Sequence, residues 1–132
     1  MIRLATEDDL NWLAHQMVSL HRRSTWAAFE LPEFNVSNLT EFLLMKFDDT
    51  QSVIYRDGNA FCGGTLGKWI YPPYYTHISE WGWTGDPKPA ARCLQAVFDW
   101  GKQHGAMFGG YVLARPGEST QYVQETWVWR KL

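Results

Sequence analysis

The sequence predicts an α/β (α+β) domain: a mixed sheet of about six strands flanked by three helices, in the order β-α-α-β-β-β-α-β-loop-β. Three observations carry this. Asp57-Gly58-Asn59 is a tight-turn signal between two strand-like runs, Gln51–Arg56 and Ala60–Ile70. A strand, a short turn and an amphipathic helix closed by Gly105 occupy Ser79 to Ala106. No internal repeat or linker divides residues 1–132, so the elements are expected to share one core as a single domain.

Taken in order, Ile2–Leu4 reads as a short strand. Thr6 then caps a helix, with Asp9 at the third position of a variant capping box. Leu10, Leu13, Ala14 and Met17 share one face, so this helix extends to about Arg22; His15 and His21 lie off the stripe and read as solvated. Ser24–Asn35 is irregular, with Pro32 as a breaker and Trp26, Phe29 and Phe34 as anchors. Asn38 with Glu41 suggests a second capping box, and Leu39, Phe42, Leu43 and Phe47 form the next apolar stripe.

After the hairpin, Pro72-Pro73 breaks the chain before a strand at Thr76–Thr84. The helix Pro87–His104 is expected to bury Leu94, Val97, Phe98 and Gly101. Met107–Ala114 is another strand, Pro116-Gly117 turns, and Gln124–Lys131 alternates toward a final strand carrying Trp127 and Trp129 on one face. Gly63-Gly64 and Gly109-Gly110, inside strands, mark bulges or close backbone approach.

The bulk chemistry excludes several functions. Net charge is -2 with no Lys or Arg run, which argues against a nucleic-acid or anionic-membrane surface. No apolar stretch approaches the roughly 20 residues that span a bilayer, and MIRLATEDDL lacks the basic and apolar regions of a signal peptide. Cys62 and Cys93 match no metal or redox spacing and read as reduced, buried hydrophobes in a cytoplasmic protein. His15, His21, His77 and His104 lack the paired spacing of a metal site, so no metal is expected, and no GxSxG nucleophile elbow occurs. Eight tryptophans could line a ligand groove or an interface, or fill a small core.

The segments IRLATEDDLNWLAHQM, LHRRSTWAAF and AFCGGTLGKWIYPPYYTHISEWGWTGDP, together with the element order, resemble the GNAT (GCN5-related N-acetyltransferase) superfamily over nearly the whole chain. More narrowly, they resemble small GNAT-like proteins found in bacteriophage genomes. The resemblance implies that His77–Thr84 and Met107–Ala114 splay apart around the pantetheine of acetyl-CoA. It places the backbone of Trp81, Gly82 and Trp83 against the thioester, Glu80 at the position of a catalytic base, and Tyr122 as the candidate acid for the leaving thiolate. Read by its surroundings alone, Glu80 is a strand residue paired with a nearby Arg or Lys, and Tyr122 is a partly buried aromatic.

The chain departs from that pattern where coenzyme A phosphates should sit. The family's phosphate loop has Gln or Arg, two residues, Gly, any residue, then Gly or Ala. Gly85 falls at the first position, Lys88 at the first glycine and Ala90 at the last, so only Ala90 fits. A helix N-terminus binds phosphate through free N–H groups; Pro87 and Pro89 each remove one, and Asp86, the expected N-cap, adds a negative charge and a side-chain partner for a remaining N–H. Lys88 and Arg92 could offer compensating charge.

Two readings follow. One is a GNAT-like domain with a degenerate coenzyme A loop and no expected cofactor, serving in binding or virion assembly. Its surface would be an aromatic groove of Trp26, Phe29, Trp69, Tyr71, Tyr74, Tyr75, Trp81 and Trp83, and its partner a phage or host protein or a second copy. The other is an active N-acetyltransferase using acetyl-CoA on a protein or small amine, with Glu80 as base. A tryptophan-lined glycan-binding module is a third, weaker possibility.

Overall fold

The computed structural model describes residues 1–22, 35–113 and 126–132, with the backbone alone for His21 and Arg22. Its elements are β1 (Arg3–Leu4), a 3-10 turn (Glu7–Asp9), α1 (Leu10–Arg22), α2 (Val36–Asp48), β2 (Ser52–Asp57), β3 (Ala60–Lys68), β4 (Thr76–Thr84), α3 (Pro87–Gln103), β5 (Phe108–Leu113) and β6 (Thr126–Lys131). The strands form one six-stranded sheet in the order β1-β2-β3-β4-β5-β6. Every neighbouring pair is antiparallel except β4 with β5, the pair that α3 connects.

The 3-10 turn starts as expected: the Asp9 carboxylate accepts the Thr6 N–H at 2.8 Å. The same buried carboxylate accepts from both Arg3 terminal nitrogens, at 2.7 and 2.8 Å, and from Arg56 at 2.8 Å. It thereby ties β1 to β2, with the Arg56 guanidinium 3.7 Å from the centroid of the Trp12 ring. The second helix begins three residues earlier than the Asn38–Glu41 spacing suggests. Asn35 is its N-cap, and its side-chain oxygen accepts the Asn38 N–H at 2.8 Å. Asn38 is thus the residue being capped, one turn inside the helix.

The turn at Asp57-Gly58-Asn59 joins β2 to β3, with Asp57 opposite Ala60 and Gly58 at φ 61°. The register ends β3 at Lys68, two residues short of the expected Ile70. The third helix begins with Pro87 at its first position and ends before Gly105, whose φ is 91°. Its inner face buries Leu94, Val97, Phe98 and Gly101, the four residues anticipated.

The sheet separates two apolar clusters. Ala90, Cys93, Leu94, Val97 and Phe98 of α3 pack with Val53, Ala60, Cys62 and Ile78 on one face. Leu13, Ala14, Leu39 and Leu43 of α1 and α2 pack with Ile54 and Phe61 on the other. Each cysteine is free and buried. Burial pushes the Cys93 thiol up to about 11. Burial, then the nearby Glu80 charge, pushes Cys62 well up. Neither thiol ionises near neutral pH, so both pack as small hydrophobes. Among the described residues, no helix is long and apolar enough to cross a membrane.

Candidate functional site

The site expected from the sequence lies where β4 changes neighbours. Along β3, Gly64 pairs with Glu80 and Gly63 pairs with Gly82, which leaves Trp81 as an extra residue on β4. Such a bulge inverts the alternation of side chains beyond it. Trp81 packs on the α1/α2 side, edge-on to Phe42 at a centroid distance of 5.2 Å. Two residues on, Trp83 packs on the α3 side against Tyr111, with centroids 6.0 Å apart. Without the bulge, Trp81 and Trp83 would share a face.

Strand β4 follows β5 in parallel only over His77–Ser79, opposite Phe108–Gly110. Past this vertex the two strands diverge, as the resemblance implies. Glu80 stands at the vertex and is 7% exposed. Its Oε1 accepts the Val112 N–H at 3.0 Å. On the α3 side the gap is lined by Trp83, Tyr111 and, below them, Phe98.

The start of α3 is where the resemblance would place a phosphate. Pro87 and Pro89 carry no N–H, and the Ala90 N–H is bonded to the Asp86 carbonyl at 2.9 Å. Of the first three helical positions only Lys88 has an amide hydrogen to offer an anion. Asp86 is the N-cap by position, but its carboxylate makes no cap bond, contrary to expectation. It turns instead to the β2–β3 turn, where the Asn59 amide donates to it at 3.3 Å. The backbone explains why: Gly85, at φ 119°, lies so close to this turn that a Cβ would come 2.4 Å from the Ala60 Cα.

Arg92 is tied to the β2–β3 turn through its Nε, which donates to Asp57 at 2.8 Å and holds that carboxyl below its usual range. Lys88 is exposed, and Ala90 is buried in the core. Against a coenzyme A pyrophosphate stand two missing amide donors, an anionic N-cap side chain and the bond of Arg92 to Asp57.

The aromatic residues divide rather than line one groove. Trp81 and Trp83 lie on opposite faces, and Trp69 and Tyr75 belong to a separate cluster at the β3–β4 end of the sheet. There Trp69 meets Phe108 at 4.8 Å and Trp129 at 5.4 Å, while Tyr75 meets Phe108 at 5.8 Å. His77 sits between Trp69 and Trp129 at 5.7 and 5.2 Å, and its Nδ1 lies 3.0 Å from the Ser79 hydroxyl. Burial holds this imidazole below its ordinary pKa. Tyr71 and Tyr74 are exposed on the adjoining loop, with Tyr74 at φ 59°. Trp26, Phe29 and Tyr122 lie outside the described residues.

Sequence reading missed Phe108, Trp127 and Trp129 as members of this surface. The one signal was the pairing of glycines with rings. Trp129 lies over Gly110, where a Cβ would come 2.6 Å from its ring, and His77 lies over Gly67 at 2.9 Å. A cavity of about 240 Å³ bounded by Leu4, Lys46, Val53 and Trp100 holds none of the expected site residues. Among the described residues no cluster of three or more His, Cys, Asp or Glu could hold a metal ion.

No protein-family model matches the chain, and no curated protein matches it. Solved structures do. An acetyltransferase from Vibrio fischeri superposes with a TM-score of 0.62 at 15% identity, over 84% of this chain and 93% of that one. An N-acetyltransferase from Staphylococcus aureus Mu50 gives 0.63 at 19% identity, over 86% of this chain and 72% of that one. A GNAT family acetyltransferase from Staphylococcus aureus USA300_TCH1516 gives 0.54 at 14% identity, over 96% and 93%. With six strands, three helices and a divergence between β4 and β5, the chain has the fold of the GNAT acetyltransferases.

Proposed function

We propose that this protein keeps the GNAT fold without its cofactor chemistry and acts by binding a protein partner. The observation that carries the reading is the first turn of α3, where Pro87 and Pro89 remove amide donors and Asp86 presents a carboxylate. The commitment of Arg92 to Asp57 and the filling of the β4–β5 gap by Glu80, Trp83 and Tyr111 support it. The binding surface we assign is the aromatic cluster of Trp69, Tyr75, Phe108, Trp127 and Trp129 with Tyr71 and Tyr74 beside it. Large apolar rings left 39% exposed at Tyr75, 42% at Trp127 and 76% at Tyr71 are what a contact surface needs. A phage or host protein, or a second copy in an assembly, is the kind of partner proposed.

One observation favours a second reading, an active N-acetyltransferase. Strands β4 and β5 do diverge, and a buried carboxylate, Glu80, stands at the vertex where a base would act. On that reading Tyr122 would supply the acid, and the backbone of Trp81, Gly82 and Trp83 would face the thioester.

Isothermal titration of the protein with acetyl-CoA, with CoA as control, separates the two. The proposal expects no saturable heat at millimolar ligand. Micromolar, saturable binding, with acetyl transfer lost in Glu80→Gln, would establish the enzyme instead.

A further inference from the structure

In an uninterrupted parallel ladder, an N–H of one strand that faces its neighbour donates to a main-chain carbonyl. Between β4 and β5 that pattern ends at Ser79 and Gly110. Two residues farther along β5, the Val112 N–H is still satisfied, by a side chain: Glu80 Oε1 accepts it at 3.0 Å. The carboxylate is buried, so this bond to a charged acceptor is shielded from competing water. The opposite end of the same strand pair is closed by main chain, through the Met107 N–H donating to the Thr76 carbonyl at 2.9 Å.

We propose that Glu80 is a latch: its carboxylate replaces the missing β4 carbonyl and pins the diverging β5 across the gap, holding the slot between the strands shut. The role is positional. The carboxylate bonds a backbone amide and thereby sets the width of the gap that Trp83 and Tyr111 fill. The inference deepens the reading of a closed cofactor slot, but it stands on a different observation from the prolines of α3.

Amide hydrogen exchange on the full chain, followed residue by residue by NMR, tests it. The Val112 amide is expected to be protected in the wild type, and Glu80→Ala to speed its exchange about tenfold or more, with Met107 unchanged. Glu80→Gln keeps an acceptor oxygen and should stay within about threefold of wild type. Glu80→Asp, one methylene too short to reach, should behave like the alanine variant and serves in its place if alanine does not fold. The latch is overturned if wild-type Val112 exchanges as freely as an exposed amide. It is equally overturned if truncation leaves Val112 unchanged or speeds Met107 by the same factor. Coenzyme A binding by the wild type would sink the proposed function while leaving the Val112 exchange to decide the latch.

Discussion

The ring of Trp81 lies directly on Gly63 of the neighbouring strand, so closely that a Cβ on Gly63 would fall 2.2 Å from the Trp81 Cζ2. The contact fixes the bulge, because the extra residue on β4 needs a place for its indole and the glycine supplies it. Gly63→Ala should therefore destabilise the protein by about 1–3 kcal/mol or more, as overpacking does. Urea unfolding measures it; an unchanged midpoint would mean that Trp81 moves without cost.

Gly101 sets two effects against each other. Within a helix, alanine is worth up to about 1 kcal/mol over glycine in propensity, and less in the last turn of α3, where Gly101 lies. Here its Cβ would meet Ile78 Cγ2 at 2.6 Å, inside the core. The clash outweighs propensity, because Ile78 is fully buried and has no room to retreat. Gly101→Ala should lower stability, and in a double-mutant cycle Ile78→Ala, which removes Cγ1 and Cγ2, should cost less in the Gly101→Ala background than alone.

Asp9 is the acid-sensitive point of the fold. Hydrogen bonds from Arg3, with help from Thr6 and Arg56, hold its carboxyl well below the usual carboxylate range. The unfolded chain takes up this proton near pH 3.9 and the folded chain only at lower pH, so its stabilisation is complete above about pH 5 and fades as pH falls. Asp9→Asn should cost about 2 kcal/mol at pH 7, below the value for a fully buried pair because the Arg3 side chain is 52% exposed. The variant should also show a shallower loss of stability between pH 5 and pH 3 in denaturant titrations.

His77 acts in a different window. Its imidazole, half-buried between Trp69 and Trp129, has a folded pKa below the ordinary value of about 6.5, and the cause is desolvation. As pH falls below about 6.5 the unfolded chain binds this proton before the folded one does, so stability should decline over that interval. His77→Gln should flatten the decline and leave the part below pH 5, which belongs to carboxylates, in place. Urea midpoints measured from pH 7.5 to 5 check it; identical slopes for both proteins would refute the assignment.

Local chemistry made most of the fold legible in the sequence. The Asp57-Gly58-Asn59 turn, the stripe of Leu94, Val97, Phe98 and Gly101, and the Gly105 stop are each written within one turn or one helical period. Pro87 and Pro89, and hence the missing amide donors at the first and third positions of α3, are likewise read from the sequence alone. The start of α2 was misplaced because Asn35 and Asn38 are both competent caps, and only the backbone decides which one is used.

What the tertiary structure alone decided is how residues far apart in the chain meet. Arg92 finds Asp57 across 35 positions, and Glu80 finds the Val112 amide across 32. The faces taken by Trp81 and Trp83 follow from one extra residue opposite Gly63-Gly64, and a slip of one position inverts a strand's faces. Periodicity specifies which side chains want to be buried. The register of the sheet, set by all its strands at once, specifies which of them touch.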